Sequence, residues 1–216
     1  AFIWLPQLRK HTEVKNGIST PPPSAPVWHS ALAWQVSLFL GFNSLVYYIV
    51  TTWLPAMLTD VGYTAAEAGN LHGLMQFAAA TPGLLVVPLV SRFKDQRGIA
   101  FSVSLLTVLS VIGLMLVPGF AILWTCLFGF SAGATLILGL SFVSLRAANS
   151  LQAAALSGMA QCIGYTLAAI GPTLIGMIHD AQGNWNATLL ICAGAAFMMA
   201  VLGLFAGRNL HIGVHA

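Results

Sequence analysis

The sequence predicts an all-α membrane protein with six transmembrane helices, and two observations support this fold class. Only 6% of the 216 residues are charged and 58% are hydrophobic, whereas a soluble domain has roughly 25% and 45–50%. No formal charge occurs between Lys15 and Asp60, or between Arg97 and Arg146. A membrane helix needs about 20 mostly apolar residues, so the second of these stretches is long enough for two helices.

Short turns divide the apolar sequence into six predicted spans. Segments 60–64, 118–119 and 180–184 contain the Gly and Pro residues that favour turns, and they would close three hairpins on one side of the membrane. The links at 91–97 and 146–149 lie on the other side, together with both termini. The predicted spans are 31–58, 67–90, 98–117, 119–145, 149–178 and 185–207.

The charged residues orient this bundle. On the side of the three hairpins only Asp60, Glu67 and Asp180 are charged, and every Lys and Arg falls on the opposite side. The positive-inside rule makes the basic side cytoplasmic, so both termini of the bundle are expected in the cytoplasm. Because the positive charge lies in short loops beside the spans, it does not indicate a nucleic-acid partner. The basic residues are Arg9, Lys10, Lys15, Arg92, Lys94, Arg97, Arg146 and Arg208.

The first 28 residues differ from the rest of the chain. Residues 1–5 are apolar but too few for the core of a signal peptide, and they are typical of the last turn of a preceding transmembrane helix. Segment 9–26 is polar and contains three consecutive prolines, which indicates a stiff cytoplasmic linker. We therefore expect residues 1–28 to hold the end of a helix plus a linker, and residues 29–216 to form the six-helix bundle.

A ten-residue pattern occurs at the start of two predicted spans. EAGNLHGLMQ at 67–76 and QAAALSGMAQ at 152–161 share the form Glu/Gln-Ala-x-x-Leu-x-Gly-x-x-Gln. The first copy enters the membrane from outside and the second from inside. Two copies of opposite orientation are typical of an inverted repeat of three plus three helices, although the Ala, Gly and Leu rich background also allows coincidence.

These features resemble the C-terminal half of a major facilitator superfamily transporter. The resemblance includes ALSGMAQCIGY at 155–165, GPTLIG at 171–176 and DAQGNW at 180–185. WQVSLFLGFNSLVYY at 34–48 and KDQRG at 94–98 resemble the branch of cyanate and 2-nitroimidazole transporters. The loop at 89–98 departs from the superfamily's Gly-x-x-x-Asp-Arg-x-Gly-Arg motif, since the leading Gly is missing and the Asp is displaced, so we interpret it as a solvated basic loop rather than a gating motif.

The resemblance implies a twelve-helix protein in the bacterial inner membrane. The six helices predicted here would form one half, a three-plus-three inverted repeat, and would pair in the bilayer with an N-terminal six-helix half of the same transporter. The whole protein would move a small polar solute, similar to 2-nitroimidazole or cyanate, by alternating access. In this half, the first, second, fourth and fifth spans would line a central cavity.

Three pairs of polar side chains stand four residues apart on these predicted cavity-lining spans, so each pair shares one helix face. Amide, phenol and imidazole groups can donate and accept hydrogen bonds, which suits a small solute with a delocalised π system. The alternative is that they bond to neighbouring helices, as polar residues in membrane bundles often do. The pairs are Asn43 with Tyr47, His72 with Gln76, and Gln161 with Tyr165.

Gly171 and Pro172 are candidates for a hinge in the fifth span, because proline removes a backbone hydrogen bond and can bend a helix. The alternative is a static bend. Closely spaced glycines, Gly129 with Gly133 and Gly203 with Gly207, predict close helix contacts.

The sequence also excludes several classes of function. The spans contain no cluster of His and carboxylates for a metal and no activated nucleophile beside a base, so we predict no enzyme, no metal site and no cofactor. Three Cys residues do not indicate a disulfide framework. No charged residue falls in a span interior, so proton coupling would need a carboxylate elsewhere or His72, and an anion such as cyanate is disfavoured. A non-transporting scaffold, or a half-transporter that needs a partner bundle, remains an alternative.

Overall fold

The computed structural model describes residues 26–93 and 95–213. The predicted helix end and most of the predicted linker, residues 1–25, lie outside the described residues, as does Lys94. Over the described ranges the chain is helical, without a strand. Its helices are α1 (Ala31–Asp60), α2 (Ala65–Ala80), α3 (Gly83–Arg92), α4 (Arg97–Leu116), α5 (Ala121–Arg146), α6 (Ser150–Gln182) and α7 (Asn186–Ala206), with short 3₁₀ turns at Val27–His29 and Pro118–Phe120.

Five of these helices, α1, α4, α5, α6 and α7, are long and apolar enough to cross a membrane. Their ends lie within about three residues of the predicted bounds, except that α6 continues to Gln182. That helix ends where Gly183 adopts a φ of 67° and donates its backbone N–H to the His179 carbonyl at 2.7 Å. A glycine at this position is the usual stop signal of a helix.

The second predicted span, 67–90, is interrupted, and the prediction of one continuous helix there is wrong. α2 stops at Ala80 and α3 begins at Gly83. Pro82 has no N–H to donate and its ring crowds the preceding turn, while the hydroxyl of Thr81 donates to the Ala78 carbonyl at 2.8 Å. The second predicted span therefore corresponds to two shorter helices in series.

α1 is the central helix of the bundle. It packs against α6, α7, α5 and α2, while α4 packs against α5 and α7, and α2 packs against α5. Large apolar side chains fill the centre, where the rings of Phe39 and Phe142 lie 5.6 Å apart. Burial of these side chains and close contact between helices, rather than charge, hold the bundle together.

Glycines permit a close contact between α2 and α5. A Cβ atom at Gly129 would lie 2.1 Å from the Met75 carbonyl oxygen, and one at Gly133 would lie 2.1 Å from the Ala79 carbonyl oxygen. No side chain larger than hydrogen fits at either position without moving a backbone. The Gly129-x-x-x-Gly133 spacing thus marks a true helix contact, as small residues four apart often do in membrane helices.

Charged and polar residues group at the two ends of the bundle. At one end Asp60 accepts a hydrogen bond of 2.7 Å from the Trp185 indole, and the Tyr63 hydroxyl donates to the Pro118 carbonyl at 2.9 Å. At the other end the Arg208 guanidinium donates to the Gln35 side chain at 3.1 Å. The basic residues of the described ranges gather at this second end, as their sequence positions predicted.

The loop between α3 and α4 is not wholly solvated. Asp95 and Arg97 are exposed and form an ion pair at 3.4 Å, but Gln96 is only 3% exposed. Its backbone N–H donates to the Gly207 carbonyl at 3.1 Å, and its side chain accepts a bond from Arg146. The interpretation of this segment as a solvated loop is therefore wrong for Gln96, which fastens the loop to the ends of α5 and α7.

Candidate functional site

A cavity of about 490 Å³ opens between four helices. α1, α2, α5 and α6 supply its described lining, and α4 and α7 supply none of it. These four helices correspond to the first, second, fourth and fifth predicted spans. Most of the wall is apolar and made of small or aliphatic side chains from α5, α6 and α2. The polar lining consists of Asn43, Ser44, Tyr47, Tyr48, Gln161 and Tyr165.

Asn43 lies on the part of α1 that faces the cavity, where its side chain is 5% exposed. Among the described residues no hydrogen bond involves its side-chain amide. A buried amide without a protein partner costs free energy unless water or a ligand satisfies it. Asn43 is thus a polar group whose donors and acceptor remain available to a solute.

Tyr47 stands one turn further along α1 and connects the cavity to α2. Its hydroxyl donates to Oε1 of Gln76, whose Nε2 lies 3.3 Å from Nε2 of His72. Tyr47 lines the cavity directly, whereas Gln76 and His72 lie behind it and do not belong to the wall. The structure therefore joins Tyr47 of one predicted pair to both members of another, Gln76 and His72, in one hydrogen-bond chain.

Gln161 and Tyr165 reach the cavity from α6. The Gln161 amide donates to the Ser157 hydroxyl at 2.9 Å, which leaves its carbonyl oxygen and second N–H uncommitted. The Tyr165 ring is 60% exposed and lines the opening. Gln161 and Tyr165 line the same cavity as Asn43 and Tyr47, so four of the six predicted residues belong to its lining.

Ser44 and Tyr48 complete the polar lining and were missed from the sequence. Ser44 follows Asn43, and Tyr48 follows Tyr47. The ring centroids of Tyr47 and Tyr48 lie 5.7 Å apart, and the ring planes are at 88° to each other. The signal was present, since both residues repeat the spacing of four that singled out Asn43 and Tyr47. The prediction considered only one row of residues on α1, the row of Asn43 and Tyr47. The cavity is wide enough to be lined by the adjacent row, Ser44 and Tyr48, as well.

Gly171 and Pro172 do not lie in the cavity. A Cβ atom at Gly171 would come within 2.5 Å of Leu45 Cδ1, and the Trp53 indole donates to the Pro172 carbonyl at 2.9 Å. α6 continues without interruption through this position. The two hinge candidates thus form part of the packed contact between α6 and α1.

The described lining of the cavity carries no charged residue. Arg146, the cation buried most completely in the described ranges, lies at the basic end of the bundle and is engaged by Ala206, Gly207 and Gln96. The described residues contain no group of three or more His, Cys, Asp or Glu that could hold a metal ion. The site offers hydrogen bonds and aromatic surface rather than charge.

Comparison with known proteins agrees with this architecture. The chain is 53% identical over 211 residues to the 2-nitroimidazole transporter of Escherichia coli K12, covering 98% of this chain and 54% of that protein. It is 35% identical over 213 residues to the uncharacterized transporter YycB of Bacillus subtilis 168, covering 98% and 52%. It is 25% identical over 185 residues to the cyanate transport protein CynX of E. coli K12, covering 85% and 47%.

The chain spans about half the length of the curated relatives it matches. These relatives are named as transporters, and the chain is an integral membrane protein of a transporter family rather than of an enzyme family. The family model described as Major Facilitator Superfamily matches residues 36–211. This protein belongs to the Major Facilitator Superfamily.

Proposed function

We propose that this bundle is the C-terminal half of a transporter that moves a small, flat, polar solute such as 2-nitroimidazole across the bacterial inner membrane. The single observation that carries the proposal is the largely apolar cavity of about 490 Å³ with the unpaired amide of Asn43 in its wall. Ligand sites are commonly concave and mostly apolar, with a few polar groups that fix orientation. The similarity to a relative named as a 2-nitroimidazole transporter supports the choice of solute.

The proposed solute contacts follow from the chemistry of the wall. Nitro oxygens can accept bonds from the Asn43 and Gln161 amides, and a ring N–H can donate to their carbonyl oxygens. The rings of Tyr47, Tyr48 and Tyr165 offer flat surface to an aromatic heterocycle. Because the described lining carries no cation, a neutral or weakly charged solute fits better than a compact anion such as cyanate.

Alternating access is proposed from the inverted repeat, and the two ten-residue copies play similar structural roles. Glu67 accepts a bond from the Thr64 backbone N–H at 2.8 Å, and Gln152 accepts one from Ala148 at 2.7 Å. Each residue is the third residue of its helix, and each helix is capped by a polar side chain three positions earlier, Thr64 for α2 and Asn149 for α6. The two caps differ by one residue in the backbone N–H that the side chain binds, Thr64 at the cap itself and Ala148 just before the cap. Similar caps on two helices that are expected to run in opposite directions support a three-plus-three architecture.

The last residue of each copy is also used in the same way. The Gln76 amide nitrogen lies 3.3 Å from His72, and the Gln161 amide donates to Ser157 at 2.9 Å, each partner being four residues earlier. If both halves of the bundle descend from one unit, α2 with α3 supplies the second of six spans. A preceding six-helix half would then face the cavity from its open side, joined through residues 1–28, with both termini of this bundle cytoplasmic.

Uptake measurements test the proposal. Cells that carry the intact protein are incubated with labelled 2-nitroimidazole or cyanate, and accumulation is compared with cells that lack it. We expect altered accumulation of 2-nitroimidazole, either raised by import or lowered by export. Removing one hydrogen bond to a solute costs roughly 0.5–1.5 kcal/mol, or about 2- to 10-fold in affinity, so Asn43→Ala and Gln161→Ala should each weaken the effect by this factor.

Gln182→Ala is the matched control, because Gln182 is an exposed amide at the end of α6, away from the cavity lining. It should leave accumulation unchanged. Unchanged accumulation of both compounds in cells with the intact protein, with all variants present in the membrane, would reject the proposed solutes. If Asn43→Ala and Gln161→Ala also changed the flux of no other compound screened, the result would favour a non-transporting scaffold.

A further inference from the structure

The chain of hydrogen bonds from His72 through Gln76 to Tyr47 has a defined direction. Tyr47 donates its hydroxyl proton to Oε1 of Gln76. Nε2 of Gln76 can only donate, so Nε2 of His72, 3.3 Å away, must accept with its lone pair. The observed arrangement therefore requires a neutral His72 with its proton on Nδ1.

Protonation of His72 is incompatible with this arrangement. Both nitrogens of an imidazolium are donors, so Nε2 of His72 would face the N–H groups of Gln76. Rotation of the Gln76 amide by half a turn restores two bonds, because Oε1 then accepts from His72 and the amide nitrogen donates to the Tyr47 oxygen. A neutral His72 is compatible with both orientations of the Gln76 amide: Nε2 accepts in one tautomer and donates in the other. The imidazolium is compatible only with the reversed orientation, because its Nε2 can only donate.

The reversed direction changes what Tyr47 offers to the cavity. In the observed arrangement the hydroxyl proton is used by Gln76. When the Tyr47 oxygen accepts instead, its proton is free to turn into the cavity that Tyr47 lines. In the reversed arrangement His72 has gained one proton from hydronium in the solvent, whose O–H bond breaks to leave water as the Nε2–H bond forms, and the hydroxyl proton remains on Tyr47.

We infer that His72 is the proton-binding group that regulates solute binding in this cavity, acting through Gln76 and Tyr47. The inference rests on the proposed function, since it deepens the role of the same cavity. A solute with acceptor atoms, such as nitro oxygens, binds better when Tyr47 presents its proton.

The surroundings of His72 suit this role. Imidazole can bind and release a proton without leaving its place in the helix, and His72 is half-buried, about 10.5 Å along α2 from its start by the rise of 1.5 Å per residue. No ion pair joins it to a carboxylate of the described residues. The other titratable or charged side chains on α2 and on the helices packed against it are Glu67 on α2, Tyr47, Tyr48 and Asp60 on α1, and Cys126 and Arg146 on α5.

The first test measures binding of 2-nitroimidazole to the purified intact protein at pH 5.5 and pH 8. Any titration of the solute itself is common to all variants, so the difference between wild type and His72→Gln isolates His72. Glutamine can still bond to Gln76 but cannot titrate. One additional hydrogen bond is worth about 2- to 10-fold in affinity, and wild type should gain this factor at pH 5.5 relative to His72→Gln.

Two further variants sharpen the result. Tyr47→Phe should bind more weakly and lose the pH-dependent gain, because it removes the hydroxyl that connects the chain to the cavity. His179→Gln is the matched control, since His179 stacks on Trp185 with ring centroids 3.7 Å apart and does not line the cavity. It should keep the wild-type ratio. An equal ratio in wild type and His72→Gln would overturn the inference.

The second test needs no solute and separates this inference from the proposed function. Nuclear magnetic resonance of the labelled protein follows the imidazole of His72 and the side-chain amide of Gln76 over the same pH range. We expect the Gln76 amide signals to shift with the His72 midpoint, and this midpoint to move in Tyr47→Phe. Gln76 signals that ignore the His72 titration would overturn the relay even if the solute binds. Absence of binding at every pH would reject the proposed solute alone.

Discussion

Arg146 carries a full positive charge at the end of α5 and is only 1% exposed. Its Nε donates to the Ala206 carbonyl at 3.0 Å, and a terminal nitrogen donates to the Gly207 carbonyl at 3.1 Å. These acceptors lie at the C-terminal end of α7, where the helix dipole is negative. The guanidinium also lies 5.2 Å from the centre of the Phe142 ring. Backbone carbonyls thus compensate a buried charge that forms no ion pair with a carboxylate of the described residues.

Arg146→Met should lower the thermal stability of the intact protein in detergent, because it keeps the length of the side chain but removes its donors. Each buried acceptor left unpaired costs about 1–3 kcal/mol. Arg92→Met is the matched control, since Arg92 is an exposed arginine at the same end of the bundle, and it should leave the melting temperature unchanged. Equal melting temperatures for the two variants would contradict the structural role of Arg146.

At the scale of the helix pair, α2 and α5 touch backbone to backbone. Gly129 and Gly133 lie directly against carbonyl oxygens of α2, so the contact has no flexible side chain that could yield. This close packing fixes the position of α2, and with it the position of Gln76 behind the cavity wall.

Gly133→Ala should therefore destabilise the protein, because the added methyl group would lie 2.1 Å from the Ala79 carbonyl oxygen. Overpacking of this kind costs about 1–3 kcal/mol. Gly194→Ala on α7 has no heavy atom within 4 Å of the new methyl group, and it should be neutral or slightly stabilising, since alanine favours helix. Thermal unfolding of both variants checks the prediction, and a stable Gly133→Ala protein would refute the contact.

The contact between α6 and α1 bears on the hinge proposal. Gly171 packs against Leu45, and the Pro172 carbonyl accepts a bond from Trp53. Pro172→Ala restores a backbone donor but leaves this carbonyl in place, so the contact survives. We expect uptake of 2-nitroimidazole to be unchanged, which would assign a static bend to this position. A loss of uptake in a correctly inserted Pro172→Ala protein would instead establish a hinge.

At the scale of the whole molecule, the bundle has a basic end and an acidic end. Arg97, Arg146 and Arg208 lie at the first, and Asp60 lies at the second, where it bonds to Trp185. The positive-inside rule predicts that the basic end faces the cytoplasm.

Cysteine labelling tests this orientation in intact cells. In a protein whose Cys126, Cys162 and Cys192 are replaced by serine, Asn184→Cys places a thiol in the hairpin between α6 and α7. A membrane-impermeant thiol reagent should label it from outside. Arg92→Cys, at the basic end, should react only after the membrane is opened. The reverse pattern would invert the proposed topology.

Much of the candidate site was predictable, because helix periodicity places residues four apart on one face. This rule picked Asn43 with Tyr47 and Gln161 with Tyr165, and all four lie in the cavity wall. It could not show that His72 and Gln76 lie behind Tyr47 rather than beside it. That distinction depends on the position of α2, which is set by its close packing against α5. The sequence shows Gly129 and Gly133, but only the structure shows that they pack against backbone carbonyls of α2.

The sequence by itself determined the class of the protein, the bounds of five long helices and the separation of charge between the two ends. Those properties depend on local composition, because the length of an apolar segment decides whether it can cross a bilayer. Successive loops then lie on alternate sides of the membrane, and their charges orient the bundle. Only the tertiary structure decided the burial of Arg146 and Gln96 and the hydrogen-bond chain from His72 to Tyr47. These features depend on contacts between residues far apart in sequence, so no local pattern encodes them.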